Sequence, residues 1–215
     1  MFQKLLRAGT RAGPEVREQG FADPAAFFAA LRPGLTRRLS TSQVQGIEFL
    51  LGRMRAAGWG AAWTAYGLAT AWHETAQRMQ PVREGLDASE AWRRKHLRYY
   101  PWYGRGYPQT TWRDNYRRAD EKLGLGGSLI ADPDRMLEPD IAAATMVRGM
   151  EEGWFTGRKL GDVLPRSGPA RLDQFVASRA IINGTDRAAK IAAEAMIFQA
   201  ALIAGGWRSS PVKLA

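Results

Sequence analysis

The stretch AAWTAYGLATAWHETAQRM, Ala61 to Met79, does most to limit the folds open to this chain. Ala65, Leu68, Ala69, Trp72 and Ala76 recur at intervals of three and four residues. That spacing predicts a helix from Ala61 to about Arg78 with one apolar stripe turned to a core. Pro81 forbids its continuation. His73 and Glu74 fall at the border of the stripe, so one of only two histidines stands beside a carboxylate at the wall of the core.

The same periodicity recurs elsewhere and predicts a mainly α fold. Asp23 and Pro24 start a short helix to about Arg32, ended by Pro33 and Gly34. Ser40 and Gln43 form a capping box ahead of Val44, Ile47, Leu51 and Met54, and Gly58 and Gly60 stop that helix. RDNYRRADEKLG reads as a helix closed by Gly124, and ADPD as a turn. Pro139 opens a helix with Ala142, Met146, Met150 and Trp154 along one face. Two last helical segments meet at the turn pair Asn183 and Gly184. The exception is Gln80 to Thr111, where YYPWYGRGYPQTTW is too rich in glycine and proline for a regular helix. A small irregular or β-hairpin insertion is expected there, with a brief helix across ASEAWRRKHL capped by Asp87 or Glu90.

Composition fits one folded unit. With 215 residues, 45% of them hydrophobic and 24% charged, the chain can bury a full core, and wholesale disorder is excluded. Residues 23–208 read as a single domain and 209–215 as a tail. Residues 1–22 read as an arm, either a helix docked on the domain or an anchor for anionic membrane. The apolar run of MFQKLL breaks at Arg7 and Gly9 and does not read as an export signal. IAAEAMIFQAALIAGGW is interrupted by Glu194 and Gln199 and reads as a buried helix, not a membrane span. There is no cysteine, hence no disulfide or thiolate metal site. A net charge of +10 gives a surface that attracts polyanions: nucleic acid, anionic membrane or bacterial wall polymer.

Three chemistries compete for the charged and aromatic residues. A zinc helix would read H-E-x-x-H, but Gln77 holds the second ligand position, which argues against a metal. Gly104 and Gly106 around Arg105 lack the following Lys-Ser or Lys-Thr of a phosphate loop. The remaining chemistry is proton transfer. A glutamate on an apolar flank, shielded by Trp72 or Tyr66, has its pKa raised by desolvation and suits a general acid. Glycoside cleavage also needs a second carboxylate or an ordered water, and Glu84, Asp87 and Glu90 are within reach in sequence. The bland alternative pairs Glu74 with Arg78 one helical turn on. The aromatic loop RYYPWYGRGYPQTTWRDNY reads either as a platform for sugar rings or bases, with Gln109, Thr111 and Asn115 as hydrogen-bonding partners, or as packing that completes the core.

Four motifs in order, HET at His73 to Thr75, YGRGYPQTTWRDNY at Tyr103 to Tyr116, LIADPD at Leu129 to Asp134 and AIING at Ala180 to Gly184, resemble glycoside hydrolase family 19. Within it, LATAWHETAQRMQPVREG and EEGWFTG are most similar to phage and prophage endolysins. The resemblance spans roughly Ser40 to Trp207. It implies a lysozyme-like helical domain with two lobes around a cleft, and hydrolysis of β-1,4 bonds between N-acetylated sugars without cofactor or metal. It implies that Glu74 is the general acid and Glu84 the water-activating base. Gln109, Thr111, Asn115 and Asn183 fall on its sugar-binding positions, with His73, Tyr103 and Arg105 supporting them. The two glutamates are closer in sequence than in plant chitinases of the family, so Asp87 or Glu90 are alternatives to Glu84. Lys190 stands where those enzymes carry an arginine.

The expectation is therefore a peptidoglycan-cutting endolysin, monomeric, held in the host cytoplasm until the inner membrane opens and then acting on the wall. Its basic surface would meet anionic membrane or outer-leaflet phosphates, and nucleic acid is not the expected partner. The alternatives are a chitinase, an injected toxin of the same chemistry, or a non-catalytic basic binder of glycan or nucleic acid.

Overall fold

Side-chain caps open the first two helices in the computed structural model, which describes residues 20–209. Asp23 accepts the Ala26 N–H at 2.9 Å and starts α1 (Pro24–Leu31). Ser40 and Gln43 exchange both bonds of a capping box and start α2 (Thr41–Ala56). In α3 (Ala61–Glu74) every residue from Ala62 to Trp72 is buried. The single apolar stripe expected of this helix is thus replaced by burial on all sides, and α3 is the axis of the molecule. Small residues make that possible: a Cβ on Gly67 would stand 2.6 Å from Met54 and 2.8 Å from Trp59.

α3 ends at Glu74, four residues before the expected Arg78. The Thr75 hydroxyl donates to the Ala71 carbonyl at 2.7 Å and accepts the Met79 N–H at 3.0 Å. Ala76, Gln77 and Met79 then take φ of +47°, +67° and +54°, so the chain reverses instead of adding another turn. This reversal is pinned to α2. Gln43 donates to the Gln77 carbonyl and Gln80 to that of Ser42, each at 2.9 Å. Gly46 is required beneath it, because a Cβ there would lie 1.8 Å from the Met79 oxygen.

The expected insertion is present, with two residues per strand. β1 (Val82–Arg83) runs antiparallel to β2 (Arg105–Gly106), Val82 opposite Gly106 and Arg83 opposite Arg105. Between them lies α4 (Glu90–His96), whose cap is Ser89, not Asp87 or Glu90. Next come α5 (Arg113–Leu123), closed by Gly124 at φ +67°, and α6 (Ser128–Ala131). A 3-10 turn at Pro133–Leu137, capped by Asp132, replaces the simple turn expected at ADPD. α7 (Pro139–Glu152), α8 (Leu172–Ser178) and α9 (Ala188–Ala204) follow, with 3-10 turns at Leu160–Asp162 and Arg179–Ile181.

Two apolar cores result, one per lobe. The larger gathers α1, α2, α3, α8 and α9 around Trp59, Tyr66, Trp72 and Phe198, with α9 lying along α3. The smaller joins Tyr116, Leu123, Leu129, Met136 and Trp154. α7 belongs to both, since Ala142, Met146 and Met150 enter the larger core and Ile141 the smaller. Phe21 packs against Phe27 and Trp207, and the Gly20 carbonyl accepts the Arg208 N–H at 2.9 Å, so packing reaches back past the boundary expected at Asp23 into the last residues of the expected arm. The rest of the expected arm, and the tail beyond Ser209, lie outside the described residues. Among the described residues no helix is long and apolar enough to cross a membrane. The architecture is mainly α, two-lobed, with a small hairpin insertion.

Candidate active site

Glu74 reaches the surface because α3 ends there. Its carboxylate does not meet Arg78; it accepts Nη1 of Arg179 at 2.7 Å, and the Arg179 side chain is only 4% exposed. Arg179 is fixed in turn by donating Nε to the Asp186 carbonyl. A guanidinium therefore lies where an aromatic shield was expected, and it balances a carboxylate placed at the negative end of a helix. His73 stands beside this pair. Burial, and after it the charges of Arg179, Lys190 and Arg187, hold its pKa below the ordinary histidine value, against a smaller opposing pull from Asp186. It is a neutral imidazole at neutral pH. Asn183 donates its backbone N–H to the Arg179 carbonyl at 3.0 Å and is exposed, its side-chain oxygen accepting the Gly184 N–H. So Glu74, His73, Arg179 and Asn183 form one cluster where α3 meets the turn ahead of α9.

Glu84 belongs to a second cluster, on the hairpin. Oε1 accepts the Tyr99 hydroxyl at 2.6 Å and Oε2 the Gly104 N–H at 2.8 Å. The Glu84 backbone is clamped as well, its N–H donating to the Gly104 carbonyl and its carbonyl accepting Nε of Arg93. A Cβ on Gly104 would fall 2.8 Å from Oε1 of Gln109 and 3.2 Å from Oε2 of Glu84, so these two side chains flank the glycine. Gln109 donates to the carbonyls of Val82 and Gly106. Thr111 donates to the Gln109 carbonyl, and Asn115 to that of Thr111. Oε1 of Gln109 and Oδ1 of Asn115 are left without a protein donor among the described residues. Glu84, Gln109, Thr111 and Asn115 are thus one half-buried polar strip. Of the alternatives for the second carboxylate, the Asp87 side chain is 90% exposed with Arg78 at 3.6 Å, while Glu90 is taken by Tyr103 and Arg93. Neither is held as Glu84 is.

Tyr103 and Arg105 lie beneath the strip rather than on it. Tyr103 is fully buried and Arg105 is 3% exposed. The Arg105 guanidinium stacks 3.6 Å from the Tyr103 ring centroid, pairs with Asp134 at 2.8 Å, and donates to the Pro101 carbonyl and the Tyr116 hydroxyl. Both were expected to support the sugar-binding positions, and the structure places them in the interior of the hairpin. The two readings of the aromatic loop therefore divide by residue. Tyr103, Tyr107 and Tyr116 are packing, whereas Trp112 is 47% exposed at φ +73°. Its ring meets that of Tyr99 at 5.0 Å, and Arg98 lies 5.2 Å above it.

Two site residues escape a reading of the sequence. Tyr99, whose hydroxyl is pushed up to about 12 by burial and by Glu84, sits within the quoted aromatic loop, but nothing there separates it from its neighbours. Arg179 is set just ahead of AIING, yet its partner is 105 residues away, a pairing that local periodicity does not mark. Among the described residues no group of three or more histidines and carboxylates could hold a metal ion.

The chain matches no protein-family model and no curated protein. A solved structure, that of a mutant of chitinase C, is similar over 90% of this chain and 97% of its own, with a TM-score of 0.54 and 19% sequence identity. At that identity the likeness establishes the fold alone: this chain shares the mainly helical arrangement of that chitinase.

Proposed function

We propose that this protein is a glycoside hydrolase that cuts β-1,4 bonds in bacterial wall glycan, acting as a phage or prophage endolysin. The observation that carries the reading is the contrast between two carboxylates joined by the turn after α3. Glu74 is paired with a buried cation, and Glu84 is held rigidly by Tyr99 and Gly104 beside a polar strip. In this reading Glu74 protonates the departing glycosidic oxygen, and Arg179 stabilises the carboxylate left behind. Glu84 takes a proton from the attacking water, which gives inversion at the anomeric carbon. Gln109, Thr111, Asn115 and Asn183 hold hydroxyl and acetamide groups, and Trp112 offers a ring face to a sugar. The fold shared with a chitinase supports a glycosidase, and the net charge of +10 supports an anionic target such as the wall.

The test is lysis of purified sacculi by Glu74→Gln and Glu84→Gln, with folding checked by circular dichroism. Loss of about a hundredfold or more is expected for each. Full activity of Glu74→Gln overturns the catalytic reading and leaves a glycan binder. A second reading, cleavage of chitin, draws on the name of the similar structure; digestion of purified chitin in place of sacculi would favour it.

A further inference from the structure

The segment that links the two carboxylates also borders an open pocket of about 720 Å³, which neither Glu74 nor Glu84 lines. Its wall is largely the chain from Arg78 to Ala88, which follows Glu74 and carries Glu84. Pro81, Val82, Leu86 and Leu137 supply apolar surface. The charged residues around it divide into committed and uncommitted groups. Arg83 is bound to Asp134 at 2.6 Å, Arg93 to the carbonyls of Glu84 and Leu86, and Glu90 to Tyr103 and Arg93. Arg78 and Asp87 remain, 3.6 Å apart, with side chains 52% and 90% exposed. An ion pair so exposed contributes little to stability and separates readily.

A pocket that offers one exposed cation, one exposed anion and a few apolar side chains fits a ligand with a carboxylate, an amine and small alkyl groups. We propose that this pocket receives the short acidic, amine-bearing peptide that wall glycan carries on every second sugar. The proposal rests on the wall-glycan reading above and deepens it, because chitin has no such substituent. A glycan strand bound across Glu74 and Glu84 would present its peptide to the segment that joins them. A peptide carboxylate would then take Arg78 and its amine Asp87, with alanine methyls against Val82, Leu86 and Leu137.

The test has two arms. In the first, a synthetic tetrapeptide of alanine, γ-linked glutamate, diaminopimelate and alanine is titrated into the whole protein by calorimetry. Saturable binding to wild type and to Arg78→Lys, and its loss in Arg78→Glu, is expected. In the second, cleavage is compared on intact sacculi and on the same glycan stripped of peptide by an amidase. Arg78→Glu is expected to lose about tenfold on intact sacculi and to match wild type on stripped strands. No tetrapeptide binding by wild type, or equal loss on both substrates, overturns the proposal. If wild type cuts chitin and neither wall substrate, the wall-glycan reading itself fails, and the calorimetric arm decides the pocket on its own.

Discussion

Glu84 has both carboxylate oxygens engaged, by the Tyr99 hydroxyl at 2.6 Å and by the Gly104 N–H at 2.8 Å. Two donors in fixed places restrict the rotation of a side chain that has to meet a water in one geometry. Tyr99→Phe keeps the ring against Trp112 and removes one donor. Its expected effect is a fall in kcat of about tenfold with KM little changed, read from steady-state kinetics on soluble glycan fragments. His73 supplies a separate test. Its folded-state pKa is depressed from 6.5, mainly by burial, so between that value and the lower folded one the unfolded chain binds more protons. The stability tied to His73 is then present above about pH 6.5 and lost as pH falls. Glu151 and Glu194, both raised by burial, contribute with the opposite sign, losing stability as pH rises above 4.5. The His73 share is therefore isolated by difference. The gap in melting temperature between wild type and His73→Asn is expected to move against wild type from about pH 7.5 to about pH 5.5.

At the scale of elements, the reversal after α3 governs where Glu74 sits. It depends on Gly46 of α2, where a methyl group would overlap the Met79 oxygen. Gly46→Ala has to push the reversal away from α2 and is expected to cost about 3 kcal/mol, measured by urea denaturation. It should also lower activity beyond the loss of folded protein, because the bonds from Gln43 and Gln80 hold the segment between the two carboxylates. The capping box at Ser40, the Asp23 cap and the stop at Gly124 were legible in the sequence because each is set within a few residues, and the irregular hairpin because its glycines and prolines exclude a helix. The end of α3 was not, since Ala76 and Gln77 favour a helix and only Thr75 and contacts with α2 reverse the chain. The burial of Tyr103 and Arg105 was also hidden. Asp134 and Tyr116, which hold the guanidinium, come from other elements, and an arginine between two glycines looks exposed until they are in place. Most of the polar strip was legible through motif resemblance, and its physical basis, the glycine that lets Glu84 and Gln109 approach, appears only in three dimensions.

For the whole molecule, the hairpin is mortared to the smaller lobe by Arg105, whose buried guanidinium joins β2, Asp134 and Tyr116. Its removal would leave Asp134 with Arg83 alone and take from the buried Tyr116 hydroxyl the donor that reaches it. The larger unit of organisation is α7, which gives Ala142, Met146 and Met150 to one core and Ile141 to the other. Neither core can lose this helix without opening the other. The lobes should consequently melt as a single cooperative unit, and scanning calorimetry is expected to give one peak whose van't Hoff and calorimetric enthalpies agree. Thermal damage to such a molecule is all or none: each heated copy is either whole, with both carboxylates in register, or wholly unfolded.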